Sequence, residues 1–398
     1  MDSAGLEMDD RNAMHGTDKG STGTHALCAL QLPATAAIQE QTMHPTGSFH
    51  TQENNFDFLR FFAAALVLFA HSYPLVGRRG DEPLTLLTGY EKGGSIAVGI
   101  FFVMSGYLIA SSWLASSSPK SFLIKRALRI FPALIVAVLL SAFVIGPLVT
   151  QFDLARYLAA DGTWTYLQNI LLVTRYELPG VFTGNAYPDV VNGSLWTLPL
   201  EVLMYIGVMI LGLTGFLKRR LIFLPIAVLA VGHFWLLGKL GIESYFIKNI
   251  FKLGLLYYSG SALFLYRDDI PWRGWIAALL FAALVATFRT NIGPLVYFVA
   301  LPYLVLYLAY APLPLISRFG KYGDFSYGLY IYAFPFQQLT IYLFGPQVGV
   351  LGLTLIAFVP TLILAALSWH LIEAPAMKLK RLFASPPQPG RATPSADS

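Results

Sequence analysis

FDFLRFFAAALVLFAHSYPLV, residues Phe56–Val76, decides the architecture of this chain. As a helix rising 1.5 Å per residue it is about 30 Å long, the thickness of a bilayer's hydrocarbon core. Inside this apolar run stand Asp57, Arg60 and His71. Arg60 and His71 are eleven residues apart, or about three turns. Their side chains therefore share a helix face, separated by about 16 Å along the axis. Ionisable groups in a spanning helix are costly, and they face a protein interior or a watery cavity where they have work to do. Asp57 precedes Arg60 by three and lies on the same face. Two readings follow. Asp57 and Arg60 form a neutralised pair at the interface while His71 reaches toward the far surface. Alternatively, Arg60 holds an anionic ligand and His71 moves a proton, which imidazole does well because its unperturbed pKa lies near neutrality.

The rest of the chain repeats the theme. Of 398 residues 56% are hydrophobic and 12% are charged, about half the charge of an ordinary soluble domain. The fold class is an all-α polytopic membrane protein. Ten windows of suitable length are predicted to be spans: 56–76, 95–114, 127–149, 195–217, 221–238, 246–266, 275–288, 294–311, 325–344 and 350–372. The seventh is short. The stretch 163–174 is apolar but too brief to cross, so it reads as an interfacial or re-entrant piece of a long loop. With N-terminus and C-terminus both inside, the inner loops carry the larger share of Lys and Arg, which gives an N-in/C-in topology. The net charge of +5 belongs to this asymmetry and not to nucleic-acid binding. One cysteine, Cys28, excludes a disulfide framework within the chain. Four of seven histidines precede the first span, so no metal centre is expected. Residues 1–53 and 384–398 are polar or Pro/Ser-rich and read as disordered tails around a membrane domain at 54–383. No basic segment followed by an apolar one marks a cleaved signal peptide.

Five further segments carry candidate chemistry. GIFFVMSGYLIASSWL (99–114) places Ser105 and Gly106 mid-helix; a small pair permits close helix packing, and Ser105 is also a possible nucleophile. KSFLIKRALRIFPALIV (121–136 and the preceding Lys120) holds Lys125, Arg126 and Arg129 just before the third span. These are either topology anchors or a phosphate clamp, since Arg at i and i+3 share a face. NGSLWTLPLEVLMYIG (192–207) buries Glu201 about two turns into a span; a carboxylate there requires a partner, either His71 or an Arg, or serves as a base. GKYGDFSYGLYIYAFPFQQL (320–339) brings Asp324, Ser326, Tyr327 and Tyr330, read chiefly as packing or interface residues. SWHLIEAPAMKLKRL (368–382) ends the tenth span with Glu373, followed by a basic cluster.

Taken in order, these segments resemble the acyltransferase-3 family of bacterial membrane O-acyltransferases. The shared features are a first span with Arg, ten residues, then His-Ser; FFVMSGYLI; a basic step before FP; SLWTLPLEVLMY; FSYGLYIY; and a terminal IEAP. The chain departs from the family in two places. Many relatives have His in the ninth-span motif, where this chain reads YIYAFP, and Ala374 stands where Arg often follows the Glu.

The resemblance implies an enzyme of the bacterial inner membrane. It would move an acyl group, usually acetyl, from cytoplasmic acetyl-CoA to a hydroxyl of a surface or secreted carbohydrate or glycolipid. Glycan-synthesis proteins would be partners alongside membrane lipids. Carried over by motif, Arg60, Arg126 and Arg129 hold the donor. His71 acts as general base or transient acyl carrier, and Glu201 orients or charge-balances it. Asp57, Ser105 and Tyr327 are supporting candidates. A proton-coupled transporter or flippase of a polar or lipid-linked sugar, with His71 and Glu201 as relay, explains the buried charges equally well.

Overall fold

The computed structural model describes residues 54–116 and 118–380. Both tails, 1–53 and 384–398, lie outside them. Among the described residues the chain is helical, with one isolated bridge between Thr150 and Val181. A helix forms at each of the ten apolar windows. They are α1 (Phe56–Leu75), α2 (Gly93–Leu114), α3 (Pro119–Val149), α4 (Thr197–Leu213), α5 (Phe223–Lys239), α6 (Tyr245–Leu265), α7 (Gly274–Ala286), α8 (Gly293–Tyr310), α9 (Ser326–Phe344) and α10 (Pro346–Lys378). By length and composition five of them, α1, α2, α3, α8 and α10, are long and apolar enough to cross a membrane. Three of the ten, α4, α5 and α7, are shorter than 18 residues. Helix α7 has only 13 residues, about 20 Å, and is shorter than the hydrocarbon core.

Helix α3 starts eight residues earlier than its apolar window. Ser118 caps it by accepting the Ser121 N–H at 3.1 Å, and Pro119 occupies the first turn. Both are start signals that a hydropathy window does not register. The consequence is functional: Arg126 and Arg129 sit inside a helix and line the bundle's inner cavity, on one face as their i, i+3 spacing predicts.

The core is built on α2 and α6, which pack along their length, with α1 against α2 and α9, and α9 against α10. The close approach of α2 and α6 depends on glycine. A Cβ on Gly106 would overlap the Tyr257 carbonyl oxygen, and one on Gly260 would overlap that of Val103. Ser261 Oγ donates to the Gly106 carbonyl at 2.9 Å across the same seam. Small residues thus let two backbones meet where lipid offers no hydrophobic drive to association. At the start of α1, Asn55 Nδ2 donates to the carbonyls of Leu308 and Ala311 at 2.7 and 2.8 Å, using acceptors that the end of α8 leaves open. Apolar side chains such as Val228, Leu279, Val299 and Leu355 are exposed on the outside of the bundle, as contact with lipid requires.

The segment 150–196 folds over one end of the bundle. Residues 163–174 form no spanning element: a turn of helix, Asp161–Thr165, is followed by the 3-10 helix Tyr166–Leu171. Gln338 on α9 clamps the segment. Its Nε2 donates to the Tyr187 and Val190 carbonyls at 2.7 and 2.6 Å, and Asn185 returns a bond to its Oε1 at 2.8 Å.

The glycine seam predicts that Gly106→Val lowers the thermal unfolding midpoint in detergent by the equivalent of about 3 kcal/mol, at the upper end of overpacking costs. Ser261→Ala is expected to cost about 1 kcal/mol. Size-exclusion thermal-stability assays on the purified variants check both.

Candidate functional site

Two cavities lie end to end along the α1 face that carries Arg60 and His71. The inner one, about 120 Å³, is lined by Arg60, Ser105, Arg126, Arg129, Glu201 and Tyr205 among others. The outer one, about 450 Å³, is lined by His71 and by Tyr176, Tyr187, Trp196, Tyr245 and Phe334 among others. The two cavities have Val98 and Tyr330 in common. These two side chains form the wall between them. Tyr330 is held in place: its Oη lies 2.7 Å from Thr197 Oγ1, and its ring meets Phe101 edge-on at 5.8 Å. The eleven-residue spacing on α1 therefore puts a guanidinium in one cavity and an imidazole in the next.

The inner cavity's three arginines are not equivalent. Arg129 is engaged on both sides, donating to Glu373 Oε2 at 3.2 Å and to Asp324 Oδ2. Its guanidinium also lies 5.7 Å from the ring centres of Tyr327 and Trp369. Arg60 donates to Asp57 Oδ1 at 3.2 Å and stands 3.6 Å from Asp324 Oδ2. Asp324 thus sits between two guanidiniums, and the Ser326 backbone N–H donates to it at 3.1 Å. Burial raises its pKa, but Arg129 and Arg60 outweigh that and hold it below the usual carboxylate range. Arg126 differs. Its contact is a 3.4 Å bond to Ser112 Oγ, and its buried Nε has no partner. Of the three arginines of the inner cavity, Arg126 is the one with no carboxylate partner among the described residues, which leaves it for an incoming anion. Lys380, just beyond α10, is lowered to about 8 by burial and by the positive charges of Arg126, Arg129 and Lys125. An anion placed at this end would relieve that repulsion.

Glu201 belongs to the inner cavity. Tyr205 donates its hydroxyl to Glu201 Oε1 one turn along α4. His71 lies in the outer cavity, with its buried Nδ1 unpartnered and its ring edge-on to Phe334 at 5.2 Å. No described residue gives His71 a hydrogen bond, so the structure does not bring Glu201 and His71 together, contrary to the expected orienting contact. The residue after His71 is well fixed instead. Gln337 Nε2 donates to Ser72 Oγ and to the Leu68 carbonyl, both at 2.8 Å, and Thr354 Oγ1 donates to Ser72 Oγ at 2.9 Å. These bonds set the rotation of the last turns of α1. Ser105 lines the inner cavity. Tyr327 is committed to structure, its Oη donating to the Ile130 carbonyl at 2.9 Å.

The sequence reading passed over Tyr330 as a dividing wall, Thr197 as its support, and Glu373 as a partner of Arg129. One signal was available. Thr197, Glu201 and Tyr205 recur every fourth residue, so they share one face of α4, and all three line the inner cavity.

A family model for the acyltransferase domain matches residues 53–370. The chain belongs to the acyltransferase-3 family. It is 32% identical over 349 residues to an O-acetyl transferase of Shigella phage Sf6, covering 81% of this chain and 95% of the relative. It is 33% identical over 363 residues to Nodulation protein 10 of Rhizobium leguminosarum bv. viciae, covering 82% and 94%. A peptidoglycan O-acetyltransferase of Listeria monocytogenes is 25% identical over 336 residues, covering 73% of this chain and 52% of that protein. No solved structure matches the chain. As an acyltransferase-3 member it is a membrane-embedded O-acyltransferase, and this assignment displaces the transporter reading.

The unequal arginines predict unequal variants. Arg129→Gln leaves Glu373, 1% exposed, without its cation, and a thermal midpoint lower by the equivalent of about 3 kcal/mol is expected. Arg126→Gln breaks no ion pair and is expected to stay within about 1 kcal/mol of the unsubstituted protein. Thermal unfolding in detergent compares the two directly.

Proposed function

We propose that the enzyme takes an acetyl group from cytoplasmic acetyl-CoA and delivers it to a hydroxyl of a surface or secreted carbohydrate. The observation that carries this reading is the wall at Val98 and Tyr330, with arginines on one side and His71 on the other. The inner cavity, about 120 Å³, is narrow. It suits a thin pantetheine arm rather than a whole coenzyme, whose phosphates would remain at the entrance near Arg126 and Lys380. Arg60 and Arg129 shape that cavity through their carboxylate partners. The outer cavity, about 450 Å³, lies within the range of small-molecule sites, and its aromatic lining offers flat faces to a sugar ring.

In the proposed reaction the thioester carbonyl reaches the wall from the inner side. A free nitrogen of His71 takes the proton of the acceptor hydroxyl as its oxygen attacks the carbonyl carbon. The carbon–sulfur bond breaks, an ester forms, and the coenzyme thiolate withdraws through the inner cavity, gaining a proton there. Transfer through an acyl-imidazole on His71 uses the same groups in two steps. In this scheme the Tyr330 hydroxyl, 2.7 Å from Thr197 Oγ1, donates to the developing oxyanion. Glu201 with Tyr205 serves the donor side. This scheme fits ten crossings with both termini inside, in a bacterial inner membrane. The names of the relatives, an O-acetyl transferase and a peptidoglycan O-acetyltransferase, support acetyl as the group and a glycan as the acceptor.

His71→Ala is expected to reduce acceptor-dependent thiol release from acetyl-CoA at least about a hundredfold, with insertion and thermal stability retained. Unchanged release by the purified variant would remove the histidine from the mechanism. A second prediction concerns pH. Lys380 is charged below about 8 and neutral above it, so it attracts the donor phosphates only on the acid side of that value. The KM for acetyl-CoA should therefore rise as pH passes from 7 to 9, by roughly threefold for one partly exposed charge. In Lys380→Met the same profile should be flat over that interval. Arg126→Gln should raise this KM at every pH.

A further inference from the structure

The outer cavity has an unbalanced charge. Four charged side chains besides His71 line it: Arg79, Glu82, Lys92 and Lys252. Glu82 is consumed by structure. Its carboxylate accepts the Thr85 backbone N–H and hydroxyl, both at 2.6 Å, and the Gly93 N–H at 3.1 Å, thereby tying together the short helix Pro83–Thr88 and the start of α2. Lys252 is neutralised by Glu91, its Nζ 2.7 Å from Oε2. The acid nearest Arg79 in sequence, Asp81, is paired with Arg78 at 2.7 Å. Arg79 and Lys92 remain, both exposed, and the Glu82 carboxylate, whose donors are all neutral, offsets one of their two charges. Neither has an acidic partner among the described residues. Arg79 is nonetheless placed: its guanidinium lies 4.5 Å over the Tyr187 ring, on the segment that Gln338 clamps. The contact holds the cation at the cavity while leaving its in-plane donors free.

Resting on the acyl-transfer reading above, we infer that the acceptor carries an anionic group, a carboxylate or a phosphate, which Arg79 and Lys92 hold while His71 meets a hydroxyl of the same or a neighbouring sugar. With a neutral saccharide the cavity keeps its excess of cations, Arg79, Lys92 and Lys252 against Glu82 and the Glu91 carboxylate on Lys252. An acidic one pairs its charge with a planar guanidinium and an ammonium and lays its ring against the aromatic lining. The same arrangement restricts the product. The anion fixes the acceptor at one end, so one hydroxyl, not a mixture, is presented to His71.

The test uses the full chain in detergent and three probes: methyl glucoside, methyl glucuronide and glucose 1-phosphate. Thermal stabilisation is titrated for the unsubstituted protein and for the double variant Arg79→Gln/Lys92→Gln. Half-maximal stabilisation by at least one anionic probe is expected at a concentration about fivefold or more below that of the neutral glucoside. Raising the salt should erode that advantage, and the double variant should abolish it while unfolding at the same temperature when no probe is present. A glucuronide response assigns a carboxylate, and a glucose 1-phosphate response assigns a phosphate. Equal responses to all three probes, no response to any, or a preference that survives in the double variant would each overturn the inference. Thiol release from acetyl-CoA is followed in parallel with the His71→Ala control. Loss of that signal alone rejects the acyl-transfer reading, and loss of the anion preference alone rejects only the acceptor class.

Discussion

The ion cluster around Arg129 is the interaction on which the rest of the bundle depends. One guanidinium on α3 reaches Asp324 before α9 and Glu373 on α10, and Asp324 passes the connection to Arg60 on α1. Four parts of the chain, distant in sequence, are joined at one end of the inner cavity. Removing charge from such a place is costly because the partners stay buried. The cluster also explains why the cavity remains open among apolar helices. Its walls are held by directional bonds rather than by collapse, with Arg60 and Arg129 committed to carboxylates and Arg126 left over.

Much of this was legible in the sequence, and the limits have physical causes. Helices form at the apolar windows because burying backbone polar groups in hydrocarbon leaves few alternatives to a helix, and five of them are long and apolar enough to cross a membrane. The stripe from Arg60 to His71 was legible from periodicity alone, and it does front both cavities. Helix α3 was drawn too short because a window that averages hydropathy discards a charged first turn, although Ser118 and Pro119 state where the helix begins. Which partner Glu201 takes, His71 or an Arg, is not decided by sequence distance. Periodicity places a residue on a face and gives its height along one helix, but it does not rank heights between helices. The same limit hid the inequality of Arg126 and Arg129. They are one turn apart and alike in type, yet one is saturated by two carboxylates supplied by segments about two hundred residues away. Ser105 and Gly106 show the opposite case. The packing explanation of the pair holds for Gly106 at the α6 seam, and Ser105 still faces the inner cavity.

The outer cavity draws on the part of the chain with the least regular structure. Segment 150–196 is pinned to α9 through Gln338, Asn185 and Asn192, the last donating to the Ile331 carbonyl at 2.8 Å. Loops carry recognition on a rigid scaffold, and these bonds are what make this loop's aromatic rings a fixed surface. Phe334 on α9 meets His71 edge-on, with the ring centres 5.2 Å apart.

The wall at Val98 and Tyr330 has an electrical side as well. Where water-filled recesses enter a membrane protein from opposite surfaces, the transmembrane voltage falls mainly across the thin layer left between them. In the proposed orientation that layer is one tyrosine and one valine deep. A unit charge crossing the full potential changes energy by about 2.3 kcal/mol per 100 mV. The proton leaving the acceptor and the thiolate leaving the donor would both move within this steep gradient, so catalysis would respond to the energised state of the cell.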